Sequence, residues 1–302
     1  MAKGGKGLKE SYKEYPCDLC GSVDAVEVPY ARLYTNDQPI HICKKCGFVY
    51  VKFRRSAKDI AASWSSELYG KGYTARIPAV KARHTYVADF IDVSIGLKGK
   101  TLVDIGAGEG QFLQIVRDYY GAEPFGIEPS AKNCQDLIGM GFECFEGTIE
   151  DYELSKDRKK VDIVTIMWTL ENCFSCRDML SAAHAMLKED GYIVVSTGSR
   201  LLVPFKKPLF EYLGDNPADT HCFRFSANTL KGILAVNYFE TIYLNRYWDT
   251  DYLCIIAKKK PDGASIEWEG DNYLAVYDFF ERWHCDSMLH LNFLKINERD
   301  FD

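Results

Sequence analysis

The chain has 302 residues, 47% of them apolar and 26% charged, with a formal net charge of −6 and a pI near 5.6. That is globular composition, enough for one sizeable core and a smaller appendage, and its acidic balance is a poor footprint for a polyanion binder. There is no run of roughly 18 apolar residues, and the start MAKGGKGLKESYKEY lacks the apolar core and cleavage pattern of a signal peptide. No membrane span is expected, and the chain is assigned to the cytoplasm.

Residues 1–14 read as a disordered tail, and residues 15–58 as a metal ribbon. CDLCG (Cys17, Cys20) and CKKCG (Cys43, Cys46) are separated by 22 residues. Each C-x-x-C-G makes a tight knuckle whose thiolates converge on one ion, and two knuckles complete the tetrahedral shell that structural zinc prefers. A pair of disulfides is the alternative, disfavoured by a reducing compartment and by the knuckle glycines Gly21 and Gly47. Four thiolates leave no open position for water, so this zinc is expected to be structural. The ribbon should be two small hairpins with little core of their own. A third C-x-x-C, Cys173 and Cys176, has no matching pair and reads as a loop and helix start.

Residues 59–98 show two helical stretches broken at Gly70, Gly72 and Pro78, a lid or linker ahead of the main domain. From residue 99 to 258 the pattern is α/β. Apolar runs predict strands near Thr101–Ile105, Glu123–Ile127, Glu143–Phe145, Val161–Met167 and Tyr192–Ser196, with helices near Gln111–Tyr119, after Ser130 and near Cys176–Leu187. The alternation means a parallel sheet with helices on both faces. Residues 198–225, rich in Pro, Phe and Leu, form a long insertion at the ligand edge, the usual place for a substrate cap. Strand patterns at Thr241–Tyr247 and Tyr252–Ala257 close the sheet as an antiparallel pair, and residues 259–302 form a helical extension, packed on the domain surface.

The segment LVDIGAGEGQFLQIV carries the first chemistry. Glycines at Gly106, Gly108 and Gly110 let backbone approach a ligand at a helix N-terminus, but Gln111 stands where a dinucleotide fingerprint needs its third glycine. Asp104, just before the turn, would repel a pyrophosphate and suits a ligand with a cationic part. Glu128, in PFGIEPS, lies 18 residues past Gly110, where an acid ending the second strand accepts hydrogen bonds from ribose hydroxyls.

Together these residues resemble the cofactor site of class I S-adenosylmethionine-dependent methyltransferases. EGTIED resembles the adenine-side segment, VDIVTIMWTLEN the fourth strand and the loop under the methionine end, and LKEDGYIVVST the turn into the fifth strand. The resemblance implies a Rossmann-like seven-stranded sheet behind a small N-terminal zinc ribbon. It also implies S-adenosylmethionine held by Asp104, Gly106, Ala107, Gly108, Gly110, Glu128, Pro129, Thr148, Ile149 and Trp168. Tyr69, Tyr73 and Arg83 of the lid are candidates to cover the cofactor and hold its carboxylate. The candidate general bases are His221, Glu171 and Tyr212.

The ribbon, GIEPS and TLEN resemble the branch that contains sugar C-methyltransferases, over about Cys17 to Ala257. Two departures argue against carbon methylation: Glu171-Asn172 stands where that branch often has Glu-His, and 44 residues follow Lys258 where those enzymes carry a further domain. The expected acceptor is therefore a hydroxyl or amine of a nucleotide-linked sugar or surface-glycan precursor. An RNA methyltransferase using the ribbon to bind RNA is the first alternative, since residues 1–60 hold 11 Lys and Arg against 7 Asp and Glu. A non-catalytic cofactor-binding scaffold is the second.

Overall fold

The computed structural model describes residues 12–35, 38–67, 77–154, 159–201, 204, 207–214, 217–250 and 252–299. The ribbon comes first, with strands β1 (Lys13–Glu14), β2 (Ala25–Glu27), β3 (Ile40–Cys43), β4 (Val49–Val51) and β5 (Phe53–Arg54). Helices α1 (Ala57–Glu67) and α2 (Ile77–Ile95) follow. The main domain then alternates β6 (Thr101–Ile105), α3 (Gln111–Asp118), β7 (Glu123–Glu128), α4 (Ala131–Gly139), β8 (Glu143–Glu146), α5 (Ile149–Leu154), β9 (Val161–Met167), α6 (Cys176–Met186) and β10 (Leu187–Thr197). The insertion contributes α7 (Leu209–Leu213) and β11 (Phe223–Arg224). After it come α8 (Ala227–Ala235), β12 (Phe239–Leu244), β13 (Leu253–Lys259) and the long α9 (Tyr273–Arg299). No helix among the described residues is long and apolar enough to cross a membrane.

Seven strands form one sheet in the order β12-β13-β10-β9-β6-β7-β8. The β6, β7, β8, β9 and β10 contacts are parallel, while β13 runs antiparallel to both β10 and β12. Parallel strands are covered by helices on both faces and read as nearly continuous apolar runs; β6 and β9 are buried along almost their whole length. Serines start three of the helices: Ser130, Ser175 and Ser226 each accept a backbone N–H from the first turn. The chain leaves β6 for β7 on one side, and β9 returns on the other. The cleft therefore opens at the carboxyl end of β6, the switch point where such sheets bind ligands.

The ribbon differs from two self-contained hairpins. β2, β3 and β4 form an antiparallel meander, and β11 from the insertion pairs with β4, joining Phe223 to Tyr50 and Arg224 to Val49. One face, with Phe48 and Tyr50, packs into the same apolar cluster as Phe223, Phe225 and the main-sheet residue Ile105. The other face, with Ile40, Ile42 and Val49, packs against Phe280 and Trp283 of α9. Alternate side chains of each strand point to opposite faces, so the ribbon is buried between the main domain and α9.

Two further differences concern the chain ends. Lys13 and Glu14, within the stretch expected as a free tail, pair with Arg54 and Phe53. The extension packs on the surface of the molecule, against the ribbon and α7 through α9 and against α8 through Trp268. Asp271 donates its backbone N–H to the Cys46 carbonyl at 2.9 Å, and a Cβ on Gly47 would run into the Asp271 backbone.

Candidate active site and metal centre

β6 delivers the chain into the glycine turn. Gly106, Gly108 and Gly110 have φ of 78°, 56° and 79°, a region L side chains rarely adopt. A Cβ on Gly106 would lie 2.5 Å from Thr169 Oγ1, so the turn and the loop after β9 touch only because this residue is glycine. Gly110 has a different job: a Cβ there would meet Leu137 of α4, so it lets α3 and α4 approach and does not line the cavity.

The turn also grips Glu128. Gly108 N–H and Ser130 N–H each donate to one oxygen of the Glu128 carboxylate, both at 2.8 Å. The side chain is buried, which raises its pKa, while the two backbone donors pull it back down. The Asn133 side chain acts on the same carboxylate, which with about four acceptor sites keeps some capacity and lines the cavity. Asp104 lies deeper. Its Oδ1 accepts from Thr165 Oγ1 at 2.6 Å, and burial, assisted by the nearby Glu128 charge, pushes its pKa up to about 7.

These groups open into one cavity of about 790 Å³, within the range of about 300–1,000 Å³ usual for small-molecule sites. Of the expected cofactor residues, Arg83, Asp104, Gly106, Ala107, Gly108, Glu128, Pro129, Thr148, Ile149 and Trp168 line it; Gly110 does not. Tyr69 and Tyr73 lie outside the described residues. Thr148 caps α5 through Asp151, and Ile149 is buried beside it. Trp168 sits at φ 51°, an unusual conformation for a bulky residue and one that gathers at functional sites. The Arg83 guanidinium stacks 3.8 Å from the Trp168 ring centroid.

The cavity also has apolar walls. Ile60 and Trp64 of α1 line it together with Phe174 and Met179, and Lys207 and His221 reach it from the insertion. Trp64 Nε1 donates to the Thr220 carbonyl at 3.0 Å, and its ring lies edge-on to His221 at 5.2 Å. The buried Asp219 carboxylate, bonded by Arg55 at 2.6 Å, pins the short helical turn before His221. Glu171 faces the same space, its carboxyl raised above the usual range by withdrawal from water. Tyr212 is a correction: its ring packs 4.8 Å from Trp283 of α9, away from the cavity, because α7 uses it to seat the extension.

Sequence reasoning passed over His84 and Trp64. His84 stands on the buried stripe of α2 with Val80, Val87, Ala88 and Ile91. A lone histidine at helical spacing among apolar residues was the available signal.

The Sγ atoms of Cys17, Cys20, Cys43 and Cys46 all lie within 4.8 Å of one another, with Cys17–Cys46 at 3.6 Å and Cys20–Cys43 at 3.4 Å. Thiolates sharing a tetrahedral ion at about 2.3 Å stand about 3.8 Å apart, so the four thiols fit that role. Gly21 and Gly47 turn the knuckles at φ of 73° and 66° and donate their N–H groups to the carbonyls of Cys17 and Cys43. Cys173 and Cys176 instead both point at the Leu170 carbonyl and close the loop into α6.

A family model described as a methyltransferase domain matches residues 80–244. Ubiquinone biosynthesis O-methyltransferase of Coxiella burnetii is 31% identical over 134 residues, 41% of this chain and 53% of that protein. The protein of the same name from Actinobacillus pleuropneumoniae is 29% identical over 116 residues, 35% of this chain and 49% of its own length. The chain thus spans about half the length of the curated relatives it matches. Among solved structures, 1,6-didemethyltoxoflavin-N1-methyltransferase of Burkholderia thailandensis, with bound S-adenosylhomocysteine, superposes with a TM-score of 0.54 at 14% identity, covering 71% of this chain and 96% of that one. Magnesium protoporphyrin IX methyltransferase of Synechocystis, also with bound S-adenosylhomocysteine, gives 0.52 at 13% identity, covering 68% and 100%. At such identities the likeness is one of fold.

Proposed function

The chain belongs to the methyltransferase-domain family, and from that premise we propose that it transfers a methyl group from S-adenosylmethionine to a hydroxyl or amine of a small acceptor. The observation that carries this reading is the Glu128 carboxylate, held at the cavity edge by Gly108 and Ser130 N–H groups with acceptor capacity left for a ribose diol. Thr148 and Ile149 supply the adenine side, and Arg83 a cation for the methionine carboxylate.

The donor supplies a methyl group already activated for displacement by its sulfonium. What the chain adds is alignment of the acceptor and exclusion of water. His221, which lines the cavity, is our candidate to take the acceptor's proton, and Glu171, which lines it too, our candidate to steady the charge that His221 gains.

Trp64 and Phe174 give the cavity aromatic surface for the acceptor, and Lys207, whose ammonium lies 5.6 Å from the Tyr212 ring centroid, also lines it. That combination supports a ring bearing an anionic group, such as a nucleotide-linked sugar or glycan precursor. An aromatic hydroxyl is the second reading, favoured by the same aromatic lining and by the relatives' being O-methyltransferases of ubiquinone biosynthesis. The RNA reading has less support, because both faces of the ribbon are packed against other parts of the chain. In the four-cysteine cluster we propose a structural zinc that ties the two knuckles together.

The test is release of S-adenosylhomocysteine when the protein is incubated with S-adenosylmethionine and, separately, UDP- and TDP-sugars, simple catechols and RNA. Turnover with a sugar nucleotide supports the first acceptor reading and turnover with a catechol the second. Salt-sensitive turnover with RNA alone would overturn both.

A further inference from the structure

Arg55 ties the ribbon, α1 and the insertion to one another. It stands between β5 and α1, its side chain 15% exposed beside a fully buried Asp219 carboxylate. Its backbone N–H donates to Asp219 Oδ2 at 2.8 Å, while Nε and Nη2 donate to Oδ1 at 2.9 and 2.6 Å. The remaining arm, Nη1, donates to Ser63 Oγ of α1 at 3.1 Å. The next residue of α1 makes a second tie to the insertion, Trp64 Nε1 donating to the Thr220 carbonyl.

A buried ion pair is a poor source of net stability, because withdrawing both charges from water offsets most of their attraction. What a planar guanidinium fork specifies well is geometry. Asp219 lies in the four-residue 3-10 turn Ala218–His221, and turns of this kind have weak internal hydrogen bonds and take their shape from outside contacts. The turn ends on His221, which lines the cavity with its ring 5.2 Å from that of Trp64. Arg55 itself is not among the residues lining the cavity. Its reach into the site is through Asp219 on one side and α1 on the other.

We infer that Arg55 is a positioning residue for methyl transfer, fixing through the Asp219 carboxylate where the His221 ring stands against α1. This rests on the reading of His221 as the acceptor's base. The ribbon thereby contributes to the acceptor side of the reaction without touching donor or acceptor.

The test begins with nuclear magnetic resonance of the full chain carrying isotope-labelled histidine, the His221 ring signals being identified by their loss in His221→Ala. Arg55→Gln should shift or broaden those signals and leave the His184 ring, which is bonded to the Lys260 carbonyl, as it was. Affinity for S-adenosylhomocysteine, read by calorimetry, should be unchanged. With the sugar nucleotide or catechol that turns over, Arg55→Gln should lower kcat roughly tenfold or more, and should lower it no further in the His221→Ala background. A loss due to general destabilisation would appear in both backgrounds. Arg55→Gln strands a buried carboxylate; if it fails to fold, Arg55→Gln combined with Asp219→Asn removes both charges and should give the same pattern. Undisturbed His221 signals, an unchanged kcat, or equal losses in both backgrounds would overturn the assignment. Full kcat in His221→Ala would instead overturn the reading of His221 itself, an outcome distinct from those three.

Discussion

Gly108 N–H lies 2.8 Å from Glu128 Oε2, so the glycine turn that closes β6 is bonded to the acid that ends β7. Two neighbouring strands thereby present one rigid edge to the cavity, and the acid is aimed before any ligand arrives. Replacing Glu128 with Ala removes both the ligand's acceptor and the brace on the turn. S-adenosylhomocysteine binding should weaken by roughly 1–3 kcal/mol. Calorimetry checks this, and unchanged affinity would remove Glu128 from the site.

Asp104 should make stability depend on pH. Burial lifts its carboxyl from an ordinary 3.8 to about 7, so between those values the folded chain holds a proton that the unfolded chain has released. The stabilisation is complete below the lower value and is lost as pH rises through the upper one. Asp104→Asn escapes that loss. Relative to wild type, the variant should gain stability from pH about 5 to about 8, by an amount on the order of a few kcal/mol, read as a rising difference in melting temperature. Parallel melting curves at the two pH values would show that Asp104 does not titrate in this range.

Cys43→Ser should lose the bound metal and lower the stability of the whole chain. The ribbon shares one apolar cluster with the main sheet and another with α9, so it has no separate core to melt alone. Metal analysis and scanning calorimetry should find metal loss together with a single, lower transition. Full metal content would refute the four-thiol site, and an early transition confined to the ribbon would refute the shared core.

His221→Ala should lower kcat by about 10²-fold or more once an acceptor is in hand, the usual contribution of a general base. His221 is walled by Trp64, and in the proposed role it meets the acceptor, so affinity for S-adenosylhomocysteine should not change. A wild-type kcat in the variant would return His221 to a structural role.

The main domain was legible because its signals are local. The apolar runs of β6 and β9, the glycine turn and the capping serines each announce an element within a few residues, and Glu128 and Asp104 ride on those elements. The pairing of Val49 and Tyr50 with Phe223 and Arg224 was not legible. It joins residues far apart in sequence, and nothing in a two-residue strand foretells its partner. Tyr212 misled for the opposite reason: a tyrosine in a cap insertion has the chemistry of a base, but its neighbour Trp283, from the far end of the chain, claims it for packing. Asp104 lay between these cases. Its place at the turn was readable, whereas the hydroxyl of Thr165 that occupies one of its oxygens depends on the register of β6 against β9.

The measurement that tests the central claim most directly is calorimetric titration of the purified, metal-loaded protein with S-adenosylmethionine and S-adenosylhomocysteine, with NAD as a control. The account predicts micromolar-range binding of both methionine nucleosides at one site and none of NAD. Failure to bind either nucleoside would contradict it, and the chain would then be a scaffold that keeps the fold without the cofactor.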